Sequence, residues 1–207
     1  MIGLFFDTET TGVKSWKDPG FIPRLVQLGA ILQDLESRRV LAEINIMVEP
    51  EGVEIPAGAA AVHGITTDMA KQFGTDLNFV DSMFATLVTM ADIIVAHNSA
   101  YDMEVVADNL SASKLLIGDK PVFCTMKAST NVVKAPFREK QLAFFKDRPD
   151  KKDGDYKSPN LTETYQHFFG EKFEGAHDAM ADIRACRDIF FELDKLGLVI
   201  KSVEEPF

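Results

Sequence analysis

Apolar residues open the chain on both parities, at Ile2, Leu4, Phe5 and Phe6, which predicts a strand buried on both faces. The run ends in Asp7-Thr8-Glu9-Thr10-Thr11-Gly12, polar and turn-forming where the strand should stop. Residues 13–23 contain Pro19, Gly20 and Pro23 and read as a loop. Residues 24–34 and 38–48 each alternate in part, and Asp34-Leu35-Glu36-Ser37 between them predicts a hairpin turn. Helical signals follow at 56–62, with Pro first and His63-Gly64 after it, at 66–72 and at 79–91. The β-branched run at 93–96 predicts a buried strand, then a helix over 100–113, a short strand at 121–124 and a helix from Met126. Residues 160–169 begin with a capping box, Asn160-x-x-Glu163. A last long helix spans 178–195, with Asp182, Cys186, Ile189 and Leu193 on one stripe. The class is α/β: an N-terminal strand plus hairpin and further short strands in a mixed sheet, flanked by helices.

One segment breaks this rhythm. Residues 135–159 hold Pro136, Pro149, Pro159 and the run Lys151-Lys152-Asp153-Gly154-Asp155. They read as a partly helical insertion within a single domain, 1–207, and residues 147–158 are expected to be mobile or to fold over a substrate. Charge singles out the same place. The chain carries a formal net charge of −10, which argues against a generic nucleic-acid-coating protein. Between Lys127 and Lys157, however, nine Lys/Arg face five acids. A basic flap on an acidic body is compatible with an enzyme that grips a few nucleotides; a solvated charged loop is the plainer reading.

The remaining composition is that of an ordinary globular protein, 46% hydrophobic and 26% charged over 207 residues. No apolar run approaches the roughly 20 residues of a membrane helix, and the N-terminus lacks a basic n-region and a cleavage site. Cys124 and Cys186 stand alone in apolar surroundings and read as free core thiols in a reducing, cytoplasmic compartment.

The candidate chemistry lies in the acids. Asp7 and Glu9 are two residues apart on an extended chain, so their side chains share a side. Ionised carboxylates at the end of a buried strand need compensation, and a hard divalent cation supplies it through oxygen ligands. The same run loosely matches a calcium loop ending at Asp18, but it follows a β-like segment, and Pro19-Gly20 stand where a helix should start. Asp102 could simply cap its helix as Ser99-x-x-Asp102. Asp182 is harder to explain structurally, because it sits on the apolar stripe of the last helix, with His177 just upstream. Strand ends and helix starts in α/β sheets gather at one edge, where Asp7, Glu9, Asp102 and Asp182 could meet. Four carboxylates in one cleft cannot all ionise without cations. Two divalent ions would suit in-line attack at phosphorus, and a histidine could take the proton of the attacking water.

In order, Phe6-Asp7-x-Glu9-Thr10-Thr11-Gly12, His97-Asn98-x3-Asp102 and His177-x4-Asp182 resemble the three motifs of the DEDDh 3′–5′ exonucleases, the DnaQ-like proofreading family. His63-Gly64-Ile65-Thr66 resembles that family's His-Gly-Ile element. The position four before the last acid is Asp178, not the Tyr of the related DEDDy branch. The resemblance implies a ribonuclease H-like fold and release of nucleoside 5′-monophosphates from single-stranded 3′ ends with two Mg²⁺, or Mn²⁺ in their place. It implies metal ligation by Asp7, Glu9, Asp102 and Asp182, with Asp7 bridging and His177 as general base. Thr8, Thr10, Thr11 and His63 would line the terminal-nucleotide pocket, and a polymerase or replication partner is implied as well. DNA is favoured over RNA or short oligonucleotides. The alternative of another class is a non-catalytic nucleic-acid- or polymerase-binding module that has kept the fold. Oligomeric state is not legible.

Overall fold

Burial on both faces of the first strand is the central fact of the architecture. The computed structural model describes residues 1–14, 18, 20–147, 152, 154–199 and 203–204. β1 (Ile2–Thr10) lies inside a six-stranded sheet of order β3-β2-β1-β4-β5-β6. It pairs antiparallel with β2 (Leu25–Asp34), which pairs antiparallel with β3 (Val40–Met47). On its other side it pairs parallel with β4 (Ile93–Ala96), which pairs parallel with β5 (Val122–Cys124). The sheet is therefore mixed. A final short strand, β6 (Val203–Glu204), pairs antiparallel with β5 and had no signal in the pattern.

Alternating side chains of β1 feed two separate cores. Leu4 and Phe6 pack with Leu28, Ala30 and Leu32 against the helices on one face. These helices are α3 (Leu77–Met90) and α4 (Ser99–Asn109), which contribute residues such as Phe84 and Val106. Phe5 packs on the opposite face with Ile31, Val95 and Phe123 against α9 (Ala179–Lys195). Phe5 and Phe123 each meet Phe190 of α9 edge-on, with ring centroids 5.3 and 5.2 Å apart. The result is three layers, helix on sheet on helix.

The smaller helices fall close to their predicted places. α1 (Ala57–His63) ends at Gly64, whose φ of 79° closes it in the left-handed region. α2 (Thr67–Phe73) is capped by the Thr66 hydroxyl. α8 (Leu161–Phe169) carries the reciprocal Asn160–Glu163 capping box, and Asp178 caps α9 through the Ala181 amide. The 135–159 segment holds α7 (Glu139–Asp147), after α6 (Thr125–Val133).

One expectation changes. The helix over 100–113 is two helices, α4 and α5 (Ser111–Ile117), broken at Leu110. The break is stabilised from a distance, because buried Asp81 on α3 accepts the Ala112 and Ser113 amides (2.8 and 2.9 Å) and the Ser113 hydroxyl. A cap supplied by another helix leaves no local pattern. At the end of the 147–158 segment Lys157 is buried, its amide donates to Ala135 O (3.0 Å), and its ammonium pairs with Glu163. Residues 148–151 and 153 of that segment lie outside the described residues.

Candidate active site

The parallel pairing of β1, β4 and β5 brings their C-terminal ends to one edge. Phe5 is in register with Val95, and Ala96 with Cys124, so Asp7, His97 and Thr125 follow one another across that edge. β1 extends through Thr10, and burial alternates over its end: Thr8 and Thr10 are buried, while Asp7 and Glu9 are partly exposed. Both acids thus share one side of the strand, as their spacing predicts.

Asp102 arrives by a tight turn. Asn98 sits in the left-handed region, φ 69° and ψ 45°, a conformation that asparagine tolerates. This turns the chain from β4 directly into α4 and places Asp102 in its first turn. Its carboxylate does not cap the helix through Ser99. Oδ1 instead accepts both the Thr8 amide (3.0 Å) and the Thr8 hydroxyl (2.7 Å). Asp182 comes from the opposite layer, on the first turn of α9, and α9 is allowed close to the sheet by Gly29. That glycine is in register with Asp7, and a Cβ there would lie 2.5 Å from Ile183 Cδ1. His177 has φ 72°, and its amide donates to both Asp182 oxygens at 3.2 and 3.3 Å. That conformation carries backbone strain and leaves an exposed imidazole beside the acid.

Among the described residues, Glu9, Asp182 and His177 offer ligand atoms that all lie within 4.8 Å of one another. Asp7 joins them electrostatically: burial, then Asp102, Asp182, Glu9 and Asp178 in turn, hold its pKa well above the ordinary value. Burial, followed by Asp182, Asp102 and Asp178, lifts Glu9 to about 8. Burial lifts Asp102 to about 7 although the two Thr8 bonds oppose it. Burial also lifts Asp182 to about 6 against the pull of the His177 amide and ring. Such a cluster of oxygen donors cannot carry its full charge unaided. Hard divalent cations fit this donor set by charge and by ligand type.

The threonines and His63 are placed less simply. The Thr10 hydroxyl bonds the Gly12 carbonyl (2.6 Å) and the Tyr101 hydroxyl (2.6 Å), and the Thr11 hydroxyl accepts the Arg24 amide (3.0 Å). With Thr8 engaged by Asp102, all three hydroxyls are held internally. His63 Nδ1 accepts the Ile65 amide (3.2 Å), and among the described residues the buried Nε2 has no partner at hydrogen-bonding geometry. Burial lowers the pKa of His63, the Thr10 main chain opposes this, and His177 adds to it, so the ring belongs to the same edge.

The sequence of the RNase T family, described as Exonuclease, matches residues 4–190. The chain belongs to the exonuclease family. Its superfamily is that of the DnaQ-like 3′–5′ exonucleases. This exonuclease is 26% identical to the DNA polymerase III subunit epsilon of Treponema pallidum, over 89% of the chain and 73% of that protein. It is 37% identical to a DNA polymerase III subunit epsilon-like protein of Rhodobacter capsulatus, over 62% of the chain but only 17% of that protein. Among solved structures, E. coli exonuclease I in complex with a dT13 oligonucleotide aligns with a TM-score of 0.62 at 22% identity. That alignment covers 93% of this chain and 40% of exonuclease I, so the chain spans less than half of that protein. A 3′-exonuclease recognising a histone mRNA stem-loop aligns with a TM-score of 0.67 at 16% identity, over 99% of this chain and 84% of that one. These likenesses show the ribonuclease H-like fold. No helix among the described residues is long and apolar enough to cross a membrane.

Three contributors to this candidate site were not identified from the sequence. Asp178 adds a fifth negative charge to the field on Asp7, Glu9 and Asp182 while capping α9. Tyr101 ties the end of β1 to α4 through Thr10 and the Gly12 carbonyl (3.1 Å); its place directly before Asp102 was the available signal. Gly29 looked like an ordinary strand residue, and only the packing of α9 explains it.

Proposed function

We propose that the chain is a metal-dependent 3′–5′ exonuclease that removes nucleoside 5′-monophosphates from single-stranded 3′ ends, with DNA favoured. The observation that carries this is the convergence of Asp7, Glu9, Asp102 and Asp182, from three separate elements, beside His177 at one sheet edge. Asp7, Glu9 and Asp182 would hold one Mg²⁺, with Asp7 bridging to a second held by Asp102; Mn²⁺ would substitute. Bound there, the ions would supply positive charge to activate the water and stabilise the phosphoryl transition state. His177 is exposed next to Asp182, placed to accept the proton of a water attacking the terminal phosphorus. The bond from phosphorus to the 3′ oxygen of the preceding nucleotide breaks, and that oxygen takes up a proton. Because the threonine hydroxyls are occupied, the main chain of residues 8–12 and His63 would meet the terminal nucleotide.

DNA is favoured by the relatives named as subunits of DNA polymerase III and by exonuclease I with its dT13 oligonucleotide. A polymerase partner is proposed on the same ground. The RNA reading rests on the alignment with the exonuclease of histone mRNA. Parallel assays on matched single-stranded DNA, duplex DNA and RNA, 5′-labelled, with Mg²⁺ or chelator, separate these. Metal-dependent shortening is expected, abolished by Asp7→Ala, with His177→Ala losing about 10²–10³-fold in rate while metal binding persists. No metal-dependent shortening by the wild type would leave the non-catalytic binding module, and full activity of Asp7→Ala would overturn the assignment of this site.

A further inference from the structure

The insertion was left without a function by the active site, yet it is built into the same edge. Its neck is closed by the Lys157 amide on Ala135 O and by His97. Nδ1 of His97 bonds the Thr125 hydroxyl (2.9 Å), and Nε2 bonds the Pro159 carbonyl (3.2 Å). Above this neck, α6, α7 and residues 154–158 enclose a cleft of about 580 Å³ walled by Phe137, Phe145 and Tyr156. A second cleft, of about 710 Å³, adjoins it across Met126, Gln141 and Lys157 and is bordered by Arg138 and Lys140.

Position and chemistry both point to an extended substrate. Neighbouring strands are about 4.8 Å apart, so the end of β5, two strands from β1, lies about 10 Å across the edge from Asp7. Met126, two residues beyond β5, is already a wall of both clefts. Aromatic faces beside exposed cations are what single-stranded nucleic acid requires: bases stack, and phosphates follow the charge. Phe137 and Phe145 meet edge-on at 5.1 Å, and Lys152 Nζ lies 5.4 Å from the centre of the Phe137 ring. Lys157 is already paired with Glu163, so the charge offered comes from exposed Arg138 and Lys140. Glu139 and Asp155 border the same clefts, so these two cations are the groups that phosphates would meet.

Resting on the exonuclease reading, we propose that these adjoining clefts are the subsite for the nucleotides immediately 5′ of the one removed. Bases stack on Phe137 and Tyr156, and phosphates face Arg138 and Lys140. The subsite would select single-stranded substrates of several nucleotides over dinucleotides.

The test compares kcat/KM on a 5′-labelled DNA dinucleotide and on a ten-nucleotide single strand, with Mg²⁺. The paired change Phe137→Leu and Tyr156→Leu is expected to shrink the preference for the longer strand about 10-fold, through KM. Tyr156→Phe, which keeps the ring, retains it. Lys140→Gln lowers the slope of log kcat/KM against log salt by about 0.7 on the longer strand only. Leu115→Ala, on the exposed face of α5, keeps the wild-type ratio and slope, and thermal unfolding of each variant verifies its fold. Equal losses on both substrates, or an unchanged ratio with the wild type active, overturn the subsite and leave the clefts to a protein segment. No cleavage of either strand by the wild type overturns the exonuclease reading and the subsite with it.

Discussion

Thr8 shows how a residue adjacent to the chemistry can act through another. Its hydroxyl and amide converge on one oxygen of Asp102, which fixes that carboxylate's rotamer and leaves its other oxygen for a ligand. Groups that orient a metal-binding side chain typically change affinity or activity when removed. Thr8→Val keeps the shape and removes the hydroxyl; it is expected to cost about 10-fold in kcat and to raise the Mg²⁺ requirement, whereas Thr8→Ser keeps both. Metal titration of the rate checks this. His97 acts on stability instead. Burial lowers its pKa to about 4, against the Pro159 carbonyl, which raises it. The neutral ring is therefore favoured in the fold, and its contribution is complete above about pH 6.5 and lost as pH falls toward 4. The advantage of the wild type over His97→Gln should narrow by as much as about 3 kcal/mol across that window. Urea unfolding of both proteins at pH 7 and pH 4.5 measures it, and a constant gap would contradict the assignment.

At the scale of elements, the site depends on how closely α9 lies on the sheet. Gly29 gives α9 that room at the residue opposite Asp7, and Ala179 Cβ would also lie 3.1 Å from an added Cβ. Gly29→Ala crowds the end of the Ile183 side chain and the Ala179 Cβ, and a shift of α9 by a few tenths of an ångström to relieve this would carry Asp182 and His177 away from Asp7. We expect a loss of activity larger than the loss of stability: about 10²-fold in rate against about 1–3 kcal/mol of overpacking. Gly3→Ala provides the contrast, since its Cβ would first meet the flexible Leu35 side chain, at 2.8 Å, near the far end of β1. Kinetics and unfolding of the two variants separate positioning from general damage. This dependence also explains what the sequence could reveal. Apolar residues on both parities of β1 and the stripe of α9 announce their elements locally. Asp81 capping α5 and Gly29 admitting α9 are agreements between distant segments, so neither has a local signature.

For the molecule as a whole, the acids that were legible from three short motifs do meet, because parallel strands deliver their C-terminal ends to one edge. The legible part was the placement of the acids; the internal use of the threonine hydroxyls was not, since hydrogen-bond partners are set by the folded loop. The meeting of these acids has a cost that can be measured. Burial and mutual repulsion disfavour ionisation of Asp7, Glu9, Asp102 and Asp182, so the metal-free protein carries repulsion that bound cations would relieve. Mg²⁺ at about 100 times its dissociation constant should contribute about 2.7 kcal/mol, or a rise of roughly 5–10 °C in Tm for a chain of this size, reversed by chelator. Asp7→Asn should raise the Tm measured in chelator, because one of the repelling charges is gone, and should lose most of the rise with Mg²⁺. A wild-type Tm indifferent to Mg²⁺, or an Asp7→Asn protein less stable than the wild type in chelator, would show that the cluster is held by something other than cations. The two measurements together connect the charge density of the candidate site to the stability given up to assemble it.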